Sequence, residues 1–570
     1  MSLSASFQIG RSALAAYQAA LTITGQNIAN VGNPDYARQS GQLESLIGAR
    51  TPGGVRPGNG VRLAQLRRHF DAALEGRLRD ALGAQSRSRV IYDSLTRTEA
   101  LYNELTDQDI STQLSGFFAQ FSNLETAPAD SGARNLVLSN AEGLVRSLRR
   151  MRSGLARQVE ELNDQAAEAA RRAGEITAEI AALNPQIARQ ESDGRSVASA
   201  LRDRREALLR ELGELMDIQV REQENGSVNV YVGSEPLVEF DRSRGPVVET
   251  VIEDGLEVAS IRFEDTNGSV ILHDGKLFGL LQARDRYLRD QFDRLDTLAR
   301  GLIFEVNRLH GTGAGLVGYE TLTSEYGVAD PDAALDSDAA GLPFPVQNGT
   351  LIVNVRDRNT GQVITRQIEV DLDGIGDNDT TLNDLAAQLD GVPGLSAGVT
   401  ADGRLSLGAA GGQEFWFSED SSDVLAALGV GAFFTGYDAG DIAVADTVAG
   451  DPRLIAASLS GATTDGGNAA RIARLADSHS TSTLLGNRSI QDYHDAIISD
   501  LAVEAAAADS DYQAAAAVYE GLYAQRESIS GVSLDEEAIN LTRFEQAYQA
   551  ATRYLSVVDE LTTEVMSLLR

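Results

Sequence analysis

Cysteine is absent from this chain of 570 residues, and lysine and tryptophan occur once each, as Lys276 and Trp416. The absence of cysteine excludes disulfide bonds, thiolate metal sites and cysteine nucleophiles. Two explanations stay open: chance in a proteome poor in cysteine, or passage of an unfolded chain through a secretion channel, for which cross-links are a disadvantage. The single lysine indicates codon bias towards arginine and carries no functional inference.

Long apolar runs are also missing. No stretch of eighteen apolar residues occurs, and Arg11 falls where the apolar core of a secretory signal would lie. The 83 acidic residues outnumber the 49 basic ones, so the net charge is -34. Such a field repels phosphate backbones and anionic lipid surfaces. We therefore expect no nucleic-acid partner, no membrane partner and no cleaved signal peptide.

The negative charge is concentrated in the middle of the chain. Residues 1–100 hold 12 basic and 7 acidic residues, whereas residues 301–450 hold 5 basic and 23 acidic ones. The second stretch therefore contributes -18 of the total. This asymmetry predicts a mildly basic end that assembles and a strongly solvated acidic middle, although any acidic protein can carry an acidic surface domain.

Apolar residues alternate in steps of three and four at both ends of the chain, which is the spacing of a coiled-coil seam. The N-terminal seam consists of Leu3, Phe7, Leu14, Tyr17, Leu21 and Ile28. The C-terminal seam consists of Leu541, Phe544, Tyr548, Leu555, Val558, Val565 and Leu569. A second stripe of Ala547, Tyr554, Leu561 and Leu568 predicts a second contact face. We interpret the two ends as helices that pair with each other and then with neighbouring copies; an ordinary intramolecular bundle is the alternative.

Between the ends the pattern is mainly helical, with a Gly/Pro-rich linker at residues 51–60. Helices are predicted at 63–105, 111–125, 133–191, 197–216, 276–310 and 490–528, and short strands at 218–274. Residues 311–475 become rich in Gly, Asp and Thr, with strands near 350–355, 362–370 and 398–407 and a helix near 381–389. The fold class is therefore multidomain and mainly α, with a long helical stalk, terminal coiled-coil helices, a small β region and a central α+β insertion.

Three domains follow from this pattern. Residues 1–60 and 530–570 form a terminal coiled-coil assembly domain, and residues 61–310 with 476–529 form the helical stalk, which includes the strands at 218–274. Residues 311–475 form an acidic outer insertion.

No motif in the chain predicts catalysis or a cofactor. Gly313–Gly318 spells a dinucleotide fingerprint, but a helix precedes it and no helix follows. Gly394–Gly398 spells a nucleophile elbow, but it runs from helix into strand, the reverse of the required order. Asp371–Gly376 begins like a calcium loop, yet Ile375 and Leu382 stand where oxygen ligands are needed. We expect no enzyme, no resident metal and no cofactor.

The segment after the first helix carries a motif that resembles a known family. Its residues are Asn27, Ile28, Ala29, Asn30, Pro34, Tyr36, Arg38 and Gln39. They resemble the N-terminal signature of the bacterial flagellar axial proteins, which comprise rod, hook and hook-associated subunits. The family pattern has Thr and Gly where this chain has Asn33 and Asp35. Ser530–Glu537 and Phe544–Ala550 resemble the C-terminus of a hook-associated member; the specific motifs cover roughly the first 40 and last 45 residues, with looser similarity to about Leu309.

The resemblance implies a structural subunit that is exported through the flagellar type III apparatus and forms the junction between hook and filament. Implied partners are neighbouring copies, the hook protein, a second junction protein and an export chaperone, and the implied location is the extracellular flagellum. The alternatives are another axial subunit such as the hook protein, or a secreted glycan hydrolase housed in residues 311–475. Trp416, between Phe415 and Phe417, leaves glycan binding as a further possibility.

Overall fold

The computed structural model describes residues 3–47, 58–102, 109–192, 197–253, 256–375, 378–477 and 480–568. Packing divides the chain into two units. Unit 1 contains Met1–Asp93, Glu160–Ala283 and Ala507–Arg570, and unit 2 contains Ser94–Val159 and Arg284–Ala506. The mainly α, multidomain class predicted from the sequence is confirmed.

The helices, in chain order, are α1 (Leu3–Ala29), α2 (Ala72–Tyr102), α3 (Ile110–Thr126), α4 (Ser131–Gln190), α5 (Ser199–Leu215), α6 (Gly275–Gln282), α7 (Arg289–His310), α8 (Leu382–Asp390), α9 (Val424–Leu428), α10 (Asp446–Gly450), α11 (Gly467–Ala473), α12 (Ile490–Ser530) and α13 (Leu534–Leu568). A π-helical turn (Ala283–Leu288) joins α6 to α7, and 3-10 turns cover Pro452–Leu454, Arg474–Ala476 and Thr483–Leu485.

The strands are β1 (Gln39–Ile47), β2 (Gly58–Arg68), β3 (Gln219–Glu222), β4 (Val228–Val232), β5 (Glu235–Glu239), β6 (Arg242–Ser243), β7 (Pro246–Glu253), β8 (Leu256–Phe263), β9 (Thr321–Thr323), β10 (Gly349–Asp357), β11 (Val363–Val370), β12 (Leu395–Val399), β13 (Leu405–Ala409), β14 (Gln413–Asp420), β15 (Phe434–Thr435) and β16 (Ala443–Val444). All the pairings between these strands are antiparallel.

In unit 1, the two terminal helices α1 and α13 pack against each other and run antiparallel, because Gly10 lies beside Leu555 whereas Asn27 contacts Glu537. The buried positions of α1 are small or polar: Gly10, Ala16, Ala20, Thr24 and Asn27. Small residues allow close approach of the neighbouring backbone. A Cβ added at Gly10 would lie 2.6 Å from the Leu555 side chain, so the approach of the helices requires glycine there.

A β-hairpin replaces part of the predicted linker and the start of the predicted helix at 63–105. Strands β1 and β2 pair with each other and pack on α1, and the Val61 amide donates to the Ser12 hydroxyl (3.3 Å). Helix α2 therefore begins at Ala72, not at residue 63. Val61, Leu63 and Leu66 are half-buried positions of β2, and a register shift after Leu63 interrupts the strict alternation. The helical periodicity of the following segment obscures this strand pattern in the sequence. Most of the linker, residues 51–57, lies outside the described residues.

The small β region of unit 1 consists of one four-stranded sheet, ordered β3-β4-β5-β6, and the hairpin β7-β8. Short strands were predicted at 218–274, and in β4 the alternate residues Val228, Val230 and Val232 are all buried. Helix α4 continues through Pro185. Its neighbour Asn184 is fully buried and holds the sheet: its amide nitrogen donates to the carbonyls of Val228 (2.8 Å) and Phe240 (2.7 Å).

Unit 2 contains residues 311–475 together with α3, α7 and part of α4. Its core is an aromatic cluster in which Phe117 and Phe121 of α3 meet Phe433 and Phe434, with ring centroids 5.4 to 5.7 Å apart. The Asn307 side chain of α7 is buried and accepts from the amides of Phe433 (2.8 Å) and Phe434 (3.0 Å). The insertion therefore shares its core with these helices.

Two three-stranded sheets complete unit 2, ordered β11-β10-β14 and β12-β13-β9. The single strand predicted at 398–407 is wrong: the segment is the hairpin β12-β13, because Gly403 has φ +73° and the Gly403 amide bonds to the Thr400 carbonyl (3.0 Å) in the turn. Trp416 lies in β14, is 5% exposed and stacks under the Arg356 guanidinium, so it is a core residue and not an exposed glycan platform.

His310 at the end of α7 is buried and bonds to two distant backbone segments of unit 2. Its Nδ1 lies 2.7 Å from the Gly431 carbonyl, and its Nε2 accepts from the Ala456 amide (3.0 Å). Burial lowers the pKa of His310 to about 4, so the folded protein holds a neutral ring. Because the unfolded ring titrates near its ordinary pKa of about 6.5, the stabilisation is complete above that pH and is lost as the pH falls towards 4.

We expect His310→Ala to lower the free energy of unfolding by about 3 kcal/mol at pH 7.5, through the cavity and the loss of two hydrogen bonds. The difference from the wild type should shrink as the pH falls from 6.5 towards 4. Urea unfolding across this pH range measures it. A difference that stays constant with pH would contradict the neutral, buried ring.

Candidate assembly site at the paired chain ends

The family motif begins at the end of α1 and continues through a tight turn. Gly32 has φ +76°, a conformation that favours glycine. The turn Asn33–Tyr36 is closed by the Tyr36 amide, which donates to the Asn33 carbonyl (3.2 Å), while the Asp35 amide donates to the Asn33 side chain (3.1 Å). Asp35 does not have a positive φ, so the geometry is compatible with a type I turn and not with a type II turn.

The Asn27 side chain is the centre of the site. It is 1% exposed and makes four hydrogen bonds. Its Oδ1 accepts from the Tyr36 hydroxyl (2.7 Å) and the Gln39 amide (3.0 Å). Its Nδ2 donates to the Gln39 carbonyl (2.8 Å) and to Glu537 Oε2 (3.1 Å). One amide side chain thus joins α1, the motif turn, β1 and α13.

Arg38 forms the second connection between the chain ends. Its Nη1 donates to Glu536 (2.6 Å) and its Nε to Glu537 Oε1 (2.9 Å), while the Arg38 amide donates to the Ser530 carbonyl (2.9 Å). Burial acts to lower the pKa of Arg38, but the two carboxylates outweigh it and raise that pKa. The Glu537 side chain is 2% exposed, so its charge depends on Arg38 and Asn27 for compensation.

Tyr36 and its surroundings are also held away from water. Burial, followed by the nearby carboxylates of Asp203 and Glu537, raises the pKa of Tyr36 to about 12. The phenol therefore remains protonated and donates to Asn27 throughout the physiological range. Beside it, Arg68 at the end of β2 pairs with Asp203 of α5 (2.6 Å), and both side chains are mostly buried.

The motif residues differ in how far they join this network. Asn27 bonds to Glu537, and Arg38 bonds to both Glu536 and Glu537. Tyr36 and Gln39 join the network through their bonds to Asn27. Asn30 makes only local bonds, to the Gln26 carbonyl (2.9 Å) and to Asn33 (3.3 Å). Ile28 is half-buried and Ala29 is exposed. The carbonyl of Pro34 accepts from Arg210 (3.3 Å). Glu536 and Glu537 end the C-terminal segment that resembles the family, but they were not predicted as partners of the motif, because 510 positions separate Asn27 from Glu537.

The predicted seam residues are only partly covered within one subunit. Leu3, Leu14, Tyr17, Leu21, Ile28, Leu541, Phe544, Tyr548 and Leu555 are half-buried, Val558 is buried, and Phe7 and Val565 are exposed. Leu569 lies outside the described residues. Of the residues of α1 that are buried within one subunit, Gly10 lies on the seam face between Phe7 and Leu14, whereas Ala16, Ala20 and Asn27 lie on the neighbouring face.

A second apolar face of α13 is exposed. We call Tyr554, Val557, Leu561 and Val565 the exposed α13 stripe; each is 40% to 53% exposed. Spacings of three and four place them on one helix face. Two of them, Tyr554 and Leu561, belong to the second stripe predicted from the sequence. Contiguous apolar surface of this kind is characteristic of protein interfaces.

Elsewhere, the acidic loop after β11 brings Asp371, Asp373 and Asp379 together, with one carboxylate oxygen of each within 4.8 Å of the others. Asp379 lies outside the segment Asp371–Gly376 that begins like a calcium loop. Within the described residues, no helix is both long and apolar enough to cross a membrane.

Comparison with known proteins agrees with this architecture. Residues 95–322 match the family model "Flagellar hook-associated protein FlgK helical domain". The chain is 25% identical to "Flagellar hook-associated protein 1" of Escherichia coli (strain K12), over 96% of this chain and 97% of that protein. For the Bacillus subtilis (strain 168) protein of the same name the identity is 24%, over 98% and 97%.

Among solved structures, the flagellar hook junction protein FlgK from Burkholderia pseudomallei has a similar fold. The TM-score is 0.53 at 15% sequence identity, covering 80% of this chain and 100% of that chain. The paired chain ends, the helical domain and these matches define a structural protein of the flagellar axis. Within that class, the chain is similar to flagellar hook-associated protein 1 along nearly its whole length.

The two asparagines of the motif allow a matched test of the network. We expect Asn27→Ala to lower the free energy of unfolding by about 2 to 4 kcal/mol, because it removes four buried hydrogen bonds and leaves their partners unpaired. Asn30→Ala should cost less than about 0.5 kcal/mol, because it removes only local, partly exposed bonds. Chemical denaturation of both variants measures the difference. Equal effects would show that Asn27 is not the centre of the site.

Proposed function

We propose that this chain is a structural subunit of the bacterial flagellum that forms the junction between hook and filament. The observation that carries the proposal is the joining of both chain ends by Asn27 and Arg38, with the exposed α13 stripe further along the same terminal helix. A subunit that closes its own ends in this way presents a rigid apolar face to its neighbours. Resemblance to hook-associated protein 1 along nearly the whole chain supports the same role.

The proposal extends to the partners of the subunit and to its location. Neighbouring copies would contact the exposed α13 stripe and the half-buried seam residues. The hook protein would lie on one side of the subunit and a second junction protein on the other, and an export chaperone would bind the chain before assembly. The subunit would be exported through the flagellar type III apparatus without a cleaved signal peptide and would reside outside the cell. The absence of cysteine is compatible with such export.

The proposal also assigns a separate role to each of three parts of the chain. Residues 1–60 with 530–570 would assemble, residues 61–310 with 476–529 would form the stalk, and residues 311–475 would form an acidic outer domain. The net charge of -18 in residues 301–450 would keep these outer domains of neighbouring copies apart.

Expression in a strain that lacks its own junction subunit tests the role. Electron microscopy of flagella from this strain should show filaments attached to hooks when the chain is present and bare hooks when it is absent. A gold-labelled subunit should mark a thin band at the junction. Label along the whole hook would instead indicate a bulk hook subunit, and normal filaments without the chain would refute the role.

The exposed α13 stripe yields a prediction about assembly. The double substitution Leu561→Gln with Val565→Gln should leave the free energy of unfolding of the purified subunit within about 0.5 kcal/mol of the wild type, because both positions are already exposed. Its occupancy in purified flagella should fall at least tenfold. Ile271→Gln in unit 1, at a position 68% exposed, is the matched control and should assemble normally. Normal occupancy of the double variant would mean that the stripe is not an assembly contact.

The outer-domain proposal yields a deletion test. The Gln347 amide donates to the Ser422 carbonyl (2.9 Å), so the chain already comes together at these two residues. We expect that replacement of residues 349–420 by a four-residue Gly/Ser turn preserves filament attachment, at the cost of the contacts that β14 makes with Tyr319 and of the pairing of β13 with β9. Amide exchange in α3 and α7 checks that the remaining core is folded. Loss of filaments from a folded, exported variant would show that the removed sheets make necessary contacts.

A further inference from the structure

Helix α5 contacts the N-terminal motif region at two points. Asp203 pairs with Arg68, which ends β2, and Arg210 pairs with Asp35 in the motif turn (3.0 Å). Because Asp203 and Arg210 are seven residues apart, they lie two turns apart on one face of α5. One is acidic and the other is basic. The partner of Asp203 is basic, Arg68, and the partner of Arg210 is acidic, Asp35. The N-terminal motif region can therefore form both ion pairs in only one orientation on α5.

Arg210 also contacts residues that are more deeply buried than Asp35. Its side chain is 14% exposed, its Nη1 donates to the Pro34 carbonyl (3.3 Å), and its Nε lies 3.8 Å from Glu75 Oε2 in α2. Glu75 is buried, and its Oε1 accepts from Arg526 Nε of α12 (3.0 Å). Charges therefore alternate from Asp35 through Arg210 and Glu75 to Arg526, joining the motif turn to α5, α2 and α12.

Asp35 and Arg526, the two ends of this series of alternating charges, are also connected through the backbone. Arg526 lies one helical turn before Ser530, whose carbonyl accepts from the Arg38 amide (2.9 Å). Arg38 lies three residues after Asp35. The contacts thus form a closed ring through the two segments that connect the terminal helices to the rest of unit 1, residues 30–38 and 530–534. A change at one connection is therefore felt at the other.

We propose that Asp35 and Arg210 are positioning residues: together with Arg68 and Asp203 they lock the pair α1–α13 in one orientation on helices α2, α5 and α12. This deepens the proposed function, on which it rests, because neighbouring subunits would meet the terminal helices at the angle that the lock sets. Glycine, which the axial-protein pattern has at the position of Asp35, offers no carboxylate to Arg210. The lock at this point is a property of this chain.

The conservative substitution Asp35→Asn tests the lock, because asparagine suits the turn but removes the charge. Hydrogen exchange of the purified subunit is the first measurement. We expect exchange to accelerate by roughly two- to fivefold, the size of a partly exposed ion pair, at the Arg38 amide and at Gly531 and Glu537 in the other connection. Asp35→Glu should restore the slow exchange.

A double-mutant cycle with Arg210→Gln identifies the partner. If Asp35 acts through Arg210, Asp35→Asn has no further effect in the Arg210→Gln background. The matched control is the exposed pair Glu44–Arg62 in the hairpin β1-β2, 2.9 Å apart, in which Glu44→Gln should leave exchange at both connections unchanged. An effect of Asp35→Asn confined to residues 33–36, or one that persists in the Arg210→Gln background, would overturn the proposal.

The exchange measurement and the flagellar measurement answer separate questions. The lock is present or absent in the purified subunit whatever its cellular role. On cells that carry Asp35→Asn, the flagellar measurement is the fraction of hooks that bear a filament. We expect this fraction to fall at least twofold. The control Glu44→Gln should leave the fraction unchanged. Accelerated exchange with a normal filament count would overturn the link from the lock to assembly and leave the junction role intact.

Discussion

The burial of one asparagine side chain against both ends of the chain is the constraint on which unit 1 depends. Asn27 has two acceptor and two donor bonds to satisfy away from water, and its partners come from the motif turn, β1 and α13. Because an unpaired buried amide is costly, these elements are stable together and each is weakened without the others. The pairing of the chain ends is therefore fixed by polar groups as much as by apolar contact.

This arrangement explains why the apolar seams are left available. The face of α1 buried within the subunit carries glycine, alanine and threonine, which allow close packing of helices but bury little apolar area. The larger side chains of the seam remain half-buried, and the exposed α13 stripe remains open. Since burial of apolar surface drives association, a subunit whose ends are joined by polar contacts would, in the proposed assembly, keep this apolar surface for neighbours.

Unit 2 is built on a different principle. Its helices α3 and α7 are covered by residues from the insertion, through the phenylalanine cluster and through the buried side chains of Asn307 and His310. These polar groups bond to backbone atoms that lie more than a hundred positions away in sequence. The acidic insertion is therefore not merely attached to the helices. Its residues from Val430 to Ala456 complete their core, whereas the sheets built from β10 to β14 add to it.

Periodicity by itself determined the mainly helical class, the terminal helices, the alternating strand β4 and the helix near 381–389, because local spacing of apolar residues fixes which face can be buried. The motif residues Asn27 and Arg38 could also be named from the sequence by resemblance. The C-terminal motif also contains Glu537 and Ser530, but their pairing with Asn27 and Arg38 could not be predicted, because the partners lie some five hundred positions away and nothing in a local pattern encodes such a contact. The hairpin β1-β2 and the ion pair of Asp35 with Arg210 were decided by tertiary structure for the same reason, since register and charge pairing are set only when distant segments meet.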